Sequence, residues 1–208
     1  MQKLAWLGAA LMLAAATPPA EALQQAPAHA VASLSARVQK RELDIAEALV
    51  KKKLEALPEG GQVIVQRDPQ QLTLRIPVEQ LFGPDSAQLK PHSIDSPPLA
   101  AVTELMRKRH RLLAQINVYT DSIGGPIANH GLSEQRALAL LTAMHAASIR
   151  PARISGAGLG ASSELVPNDT PEGREQNRRV EVVFALTRSV LAPANPPPRA
   201  WSGSEGGA

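Results

Sequence analysis

Gln115-Ile116-Asn117-Val118-Tyr119-Thr120-Asp121 has apolar residues at alternate positions and ends in a polar pair. Alternation of this kind is the signature of a strand that buries one side of its pleat. Downstream, Asn129-x-x-Leu132-Ser133-x-x-Arg136-Ala137 enters a helix predicted to start near Ser133, with Ala137, Leu141 and Met144 on one face. Arg150-Pro151 ends that helix, and Ile154 opens a short strand. The last strand runs from Arg179 to Leu186, where Val180, Val182 and Phe184 alternate with Glu181 and Val183. Upstream, Ser96-Pro97 caps a helix whose stripe is Leu99, Val102, Met106 and Leu113. Before it, Val63–Val65 and Leu72–Ile76 form a hairpin turned at Asp68-Pro69. A hairpin followed by strand-helix-strand-helix-strand order predicts an α+β fold, a mixed sheet with helices on one face.

An amphipathic helix precedes the hairpin, over about Ser33–Leu57. Leu43, Ala46, Val50, Leu54 and Leu57 step by 3, 4, 4 and 3 residues. Pro58 with Gly60-Gly61 stops it. A single apolar stripe must be covered, either by the domain or by another envelope protein; the pattern does not choose between them.

The two ends have other compositions. Lys3 followed by the apolar run Leu4–Ala16, the Thr17-Pro18-Pro19 break and Ala20-Glu21-Ala22 reads as an export signal cleaved after residue 22. The alternative is an uncleaved anchor, but a span needs about 20 apolar residues. Residues 192–208 are rich in Pro, Gly and Ser and read as a disordered tail. The expected organisation is a signal at 1–22, linker and helix at 23–62, one domain at 63–188 and a tail at 189–208. No later apolar run could cross a bilayer.

The 208 residues are 44% apolar and 20% charged, with 22 Lys and Arg against 19 Asp and Glu. That excess is too small to mark a nucleic-acid partner. Two local basic runs, Lys51–Lys53 and Arg107–Arg111, lie within helical patterns where charge normally faces water. Cysteine is absent, which excludes disulfides, thiolate metal sites and cysteine nucleophiles. Only five aromatic residues are present, so the core must be aliphatic. The five histidines form no metal-ligand spacing, and no Gly-x-Ser-x-Gly elbow occurs. Gly156-Ala157-Gly158-Leu159-Gly160 lacks the helix that a dinucleotide loop must open, and reads as a tight crossing or turn. Neither a catalytic centre nor a cofactor or metal is expected.

Three polar segments remain: Thr120-Asp121, Asn129 to Ala137, and Gly173-Arg174-x-x-Asn177-Arg178-Arg179-Val180-Glu181. Strand ends and helix N-termini converge at one edge of a layered fold, so these segments can share a rim. There an aspartate would take an ammonium, an arginine would take a carboxylate in bidentate fashion, and the N–H groups of the helix beginning at Ser133 would add affinity for the anion. Taken singly, Asp121 could cap a turn, Arg136 could pair with Glu134 or Asp169, Ser133 could be an N-cap and Leu132 core. Arg174 and Arg179 read as structural.

Together with Leu81-Phe82-x-x-x-Ser86-Ala87-x-Leu89-x-Pro91, these segments resemble the peptidoglycan-binding domain of the OmpA-like family, over about Leu72–Leu186. That family includes outer-membrane porin tails, the peptidoglycan-associated lipoprotein and flagellar stator subunits. The resemblance implies non-covalent binding of the diaminopimelate residue of the peptidoglycan stem peptide. It implies that Asp121 holds the ligand ammonium and Arg136 its carboxylate. Asn129, Leu132 and Ser133 would shape the pocket, Asp85 would supply a polar side chain after Phe82, and Asn177 and Arg178 would border the site. Thr120 accompanies Asp121, and Tyr119, Phe82 and Phe184 are expected along the binding edge, with Tyr119 nearest the ligand. Val118-Tyr119 replaces the family's usual residues before Thr-Asp, which implies a narrower approach. The expected protein is a non-enzymatic tether in the periplasm of a Gram-negative cell, with outer-membrane association left open. The alternative is an anchored component of an envelope machine such as a stator or secretion system.

Overall fold

A computed structural model of the chain describes residues 28–55, 57 and 62–187, with side chains from residue 35 onward. The expected signal, the tail at 189–208 and parts of the linker lie outside the described residues. The chain divides into two units, Met1–Arg37 and Val38–Ala208. Of the first, the described part is helix.

Helix α1 spans Ala28–Leu54. It begins five residues before the expected start at Ser33, because Ala28, Ala30 and Ala32 favour helix strongly. It ends at Leu54, with Lys51–Lys53 in a last turn where cations meet the negative helix end. Leu43, Ala46 and Val50 have no exposed surface and join the core of the second unit. The stripe over these residues is therefore covered by the domain itself and offers no apolar face to another protein.

The remaining elements are β1 (Ile64–Arg67), β2 (Leu72–Pro77), the single turn α2 (Val78–Leu81), α3 (Pro97–Lys108), β3 (Leu113–Tyr119), α4 (Pro126–Ala146), β4 (Ile154–Gly160), α5 (Pro171–Asn177) and β5 (Arg179–Ala185). The five strands form one mixed sheet in the order β1-β2-β5-β3-β4. The hairpin pairs Val65 with Leu74. The last strand inserts between β2 and β3, antiparallel to both, and β3 runs parallel to β4. Parallel neighbours need a long crossover, and α4 supplies it.

One sheet face, with Leu72, Leu74, Ile76, Ala114, Ile116, Val118, Val180, Val182 and Phe184, packs under α1, α3 and α4. The core is aliphatic apart from Phe82 and Phe184. The reverse face carries Thr73, Gln115 and Asn117, with Gln115 Nε2 donating to Asn117 Oδ1 at 3.0 Å. The expected α+β architecture with helices on one face is what forms. Leu113 departs from expectation: α3 stops at Lys108, so Leu113 belongs to β3 and packs with Val183 and Ala185 on the reverse face. Leu112 takes the core position instead.

Two local features shape the frame. Arg153 is buried and donates to the carbonyls of Met106 at 2.7 Å, Arg109 at 2.7 Å and Leu112 at 2.8 Å. Its cation thereby satisfies carbonyls that the end of α3 leaves without helical partners. The glycine-rich segment is strand β4, not a turn. A Cβ on Gly158 would lie 2.1 Å from the backbone nitrogen of Glu134, so the missing side chain lets α4 lie directly on the sheet.

Candidate functional site

The C-terminal end of β3, the end of β2, the start of β5 and the first turns of α4 meet at one end of the sheet. A cavity of about 480 Å³ opens there, and Thr120, Asp121, Asn129, Leu132, Arg136 and Arg178 line it together with Phe82 and Asp85. Segments separated by up to about a hundred residues thus form one surface. A larger groove of about 780 Å³ lies between the ends of α1, α3 and α4. Its walls are largely alanine, and of its two acids Glu104 is already paired with Lys53 and Lys108.

Asp121 is 8% exposed and is held from several directions. Its Oδ1 accepts from the backbone N–H of Ile123 at 2.9 Å, a local turn that fixes the carboxylate. Its carbonyl accepts from Thr120 Oγ1 and Asn129 Nδ2, each at 3.0 Å. Its Oδ2 accepts from Arg178 Nη1 at 2.8 Å. Arg178 also donates from Nε to Glu79. Burial opposes the Arg178 charge, but the bonds to Glu79 and Asp121 outweigh it and push its pKa up.

Arg136 is only 3% exposed and forms no ion pair among the described residues. Its Nε donates to the carbonyl of Ser86 at 2.8 Å, and its guanidinium carbon lies 5.4 Å from the centre of the Phe82 ring. Burial pulls its pKa down, against the pull of Glu79 and Asp85. Glu134 and Asp169, the partners that an ordinary surface arginine would take, do not pair with it. A buried cation with no fixed counter-ion, facing a cavity, is a receptor for an anion. Arg136 and the Asp121–Arg178 pair give the walls charges of both signs, which suits a zwitterionic ligand.

Asp85 stands at the exposed tip of the loop after Phe82, at a φ of 47°, a left-handed conformation that aspartate tolerates. Leu132 contributes apolar wall. Three expected site residues lie elsewhere. Ser133 has no exposed surface; its hydroxyl donates to His130 O and accepts from Gly160 N, both at 2.9 Å, joining α4 to β4. It is neither an N-cap nor the start of the helix. Gly125, at a φ of 82°, and Pro126 at the first turn start α4 seven residues earlier, so the free N–H groups at its beginning lie well before Ser133. Asn177 is fully buried and pins the preceding loop through Leu165 N, Val166 O and Asn168 Oδ1.

Tyr119 points to the reverse face of the sheet, away from the cavity. The Arg179 guanidinium stacks 3.8 Å from its ring centre, and Arg179 Nε bonds Glu181 at 2.9 Å. Burial, with Glu181 nearby, pushes the Tyr119 phenol up to about 12. Phe184 is core at the opposite end of the sheet, paired with Leu72. Of the three domain rings only Phe82 lines the cavity, because the pleat sends side chains of successive residues to opposite faces.

Glu79, Ile123 and Lys90 also line the cavity and were not anticipated. Glu79 reaches Arg178 across 99 residues of sequence, a relationship without a local spacing signal. Ile123 sits two residues after Asp121, where a turn was foreseeable from the Asp alone.

Residues 81–178 match the family model described as the OmpA family. The chain is 32% identical over 143 residues to the Escherichia coli K12 protein named Probable lipoprotein YiaD, covering 69% of this chain and 63% of that one. It is 37% identical over 102 residues to the peptidoglycan-binding protein ArfA of Mycobacterium tuberculosis, covering 49% of this chain and 31% of the relative. The chain thus spans under two thirds of the length of either. Among solved structures, a MotB-like protein of Desulfovibrio vulgaris superposes with a TM-score of 0.65 at 27% identity, over 73% of this chain and 96% of that one.

Proposed function

We propose, from the match of residues 81–178 to the OmpA family model, that the protein binds peptidoglycan non-covalently, through the diaminopimelate residue of its stem peptide, as a non-catalytic tether in the periplasm. The observation that carries this reading is Arg136, buried, without an ion pair among the described residues, and facing the same cavity as the buried carboxylate of Asp121. Diaminopimelate offers an ammonium and a carboxylate on one carbon. Asp121 takes the ammonium, sharing its Oδ2 with Arg178, and Arg136 takes the carboxylate through its terminal nitrogens. Leu132 and Phe82 supply apolar wall for the methylene chain. Glu79 keeps Arg178 beside Asp121 when no ligand is present. The peptidoglycan-binding name of the mycobacterial relative supports the same substrate class.

Co-sedimentation with diaminopimelate-type sacculi tests this. Wild-type protein pellets with them, while Asp121→Ala and Arg136→Ala each lose binding by more than about tenfold, the usual consequence of removing one partner from a close charged contact. Thermal unfolding confirms that both variants remain folded. Free diaminopimelate competes with the sacculi, and cadaverine, which has two ammonium groups and no carboxylate, competes poorly. Undiminished pelleting of both variants overturns the proposal.

A further inference from the structure

The end of the sheet opposite the cavity is strongly basic. Pairing of Arg67 with Leu72, Leu72 with Phe184, Phe184 with Ala114 and Ala114 with Ile154 draws a row across it. Immediately beyond that row lie Arg107–Arg111, running from the last turn of α3 towards β3, and Arg150, before β4. The guanidinium of Arg153 ties these two segments together through Leu112 O and Arg109 O. Residues 39–44 of α1 lie at the same end, since Glu42 bonds Arg109 and Asp44 pairs with Arg67.

Of the acids at this end, Glu42 is engaged by Arg109 and Asp44 by Lys40 and Arg67, while Asp68 accepts from Gln71 Nε2, so cations remain in excess. Arg41, Arg107, Arg111 and Arg150 are exposed and have no carboxylate partner among the described residues. Arg107 donates only to the carbonyl of Ala147. Four cations on separate elements, with no shared acceptor between them, do not converge on a single small anion. They match an extended array of negative charge.

We propose that this basic end of the domain docks on an anionic lipid bilayer, leaving the cavity at the other end of the sheet to face away from it. A bilayer is the occupant that fits for two reasons. Its headgroups form a plane that dispersed cations can meet together, each strengthening association about fivefold. In addition, the cations sit on one joined surface, since Arg153 bonds Leu112 O and Arg109 O, and Arg109 in turn bonds Glu42 of α1. The seven residues of β3, at about 3.3 Å each, hold the two surfaces roughly 20 Å apart. The inference does not depend on what fills the cavity.

The test is flotation of the full chain with vesicles of phosphatidylcholine, with and without phosphatidylglycerol. The readout is the excess binding to the anionic vesicles, since insertion by an apolar N-terminal segment would be common to both. The expected result is a clear excess that collapses when salt shortens the electrostatic range. In an Arg41→Gln, Arg111→Gln, Arg150→Gln variant the excess falls roughly a hundredfold, following the per-cation effect, while sacculus co-sedimentation matches that of wild type. Equal binding to both vesicles, or an excess that survives the triple substitution, overturns the proposal. So does retention on immobilised polyglutamate without an anionic-vesicle excess, which would identify an acidic polymer or protein as the partner.

Discussion

Asp121 Oδ2 and Arg178 Nη1 lie 2.8 Å apart, joining the residue after β3 to the residue before β5 at the mouth of the cavity. Arg178 in turn is held by Glu79, so one guanidinium bridges two carboxylates from different segments. Replacing it leaves both acids without their cation and makes the cavity more negative. Arg178→Ala is expected to weaken sacculus binding by roughly tenfold, with Arg178→Lys intermediate because the charge remains but the fork geometry is lost. Titration with a soluble stem peptide measures both; affinity equal to wild type in Arg178→Ala would remove this residue from the site.

The close approach of α4 to β4 depends on the absence of one side chain. Gly158→Ala puts a methyl 2.1 Å from Glu134 N and must push the helix off the sheet, at an expected cost of more than about 2 kcal/mol. Gly131, in α4 with nothing within 4 Å of its would-be Cβ, is the contrast. Gly131→Ala should stabilise by about 0.5–1 kcal/mol through helix propensity. Paired denaturant melts decide, and the two changes must have opposite signs.

Arg153 is a structural arginine that the sequence pattern does not single out. Arg153→Met keeps the bulk of the stem but leaves the carbonyls of Met106, Arg109 and Leu112 without their donor. A loss of about 2–4 kcal/mol is expected, read as a lower unfolding midpoint, with peptide binding at the distant cavity unchanged in the folded fraction. A midpoint like that of wild type would refute the capping role.

Tyr119 is the chain's single tyrosine, so its phenolate absorbance reports one site. Folded, it ionises near about 12, while in the unfolded chain a phenol ionises near about 10. Between these values the unfolded chain releases a proton that the folded domain retains. The associated stability is complete below pH of about 10 and is lost as pH rises towards about 12. Tyr119→Phe should remove that part of the alkaline decline. Ionisation of the native protein near about 10 would contradict the burial of the ring against Arg179 and Glu181.

Much of this fold is legible locally. The alternation in 113–119 and 179–185 specifies strands, the stripe Leu43, Ala46, Val50 specifies a helix, and Asp68-Pro69 marks a hairpin, because backbone period and side-chain burial are coupled over a few residues. That Asp121 and Arg136 would face one rim was also expected from the convergence of their segments, although Arg136 lies ten residues into α4 rather than at its start. What short-range patterns could not supply were contacts fixed by packing. Ser133 has the look of an N-cap, yet Gly125 and Pro126 start the helix earlier, and its hydroxyl is consumed by Gly160.

By itself, then, the sequence determined the α+β class, an aliphatic core in a chain with few rings, and the chemical types available for binding. Only the tertiary structure decided that Tyr119 faces away while Phe82 lies beneath Arg136, that α1 covers its own domain, and that Glu79 closes on Arg178. Each of these depends on which face of a strand or which distant segment a side chain meets. Such contacts are set by the simultaneous burial of many apolar residues, a property of the whole packed domain that no single window of sequence contains.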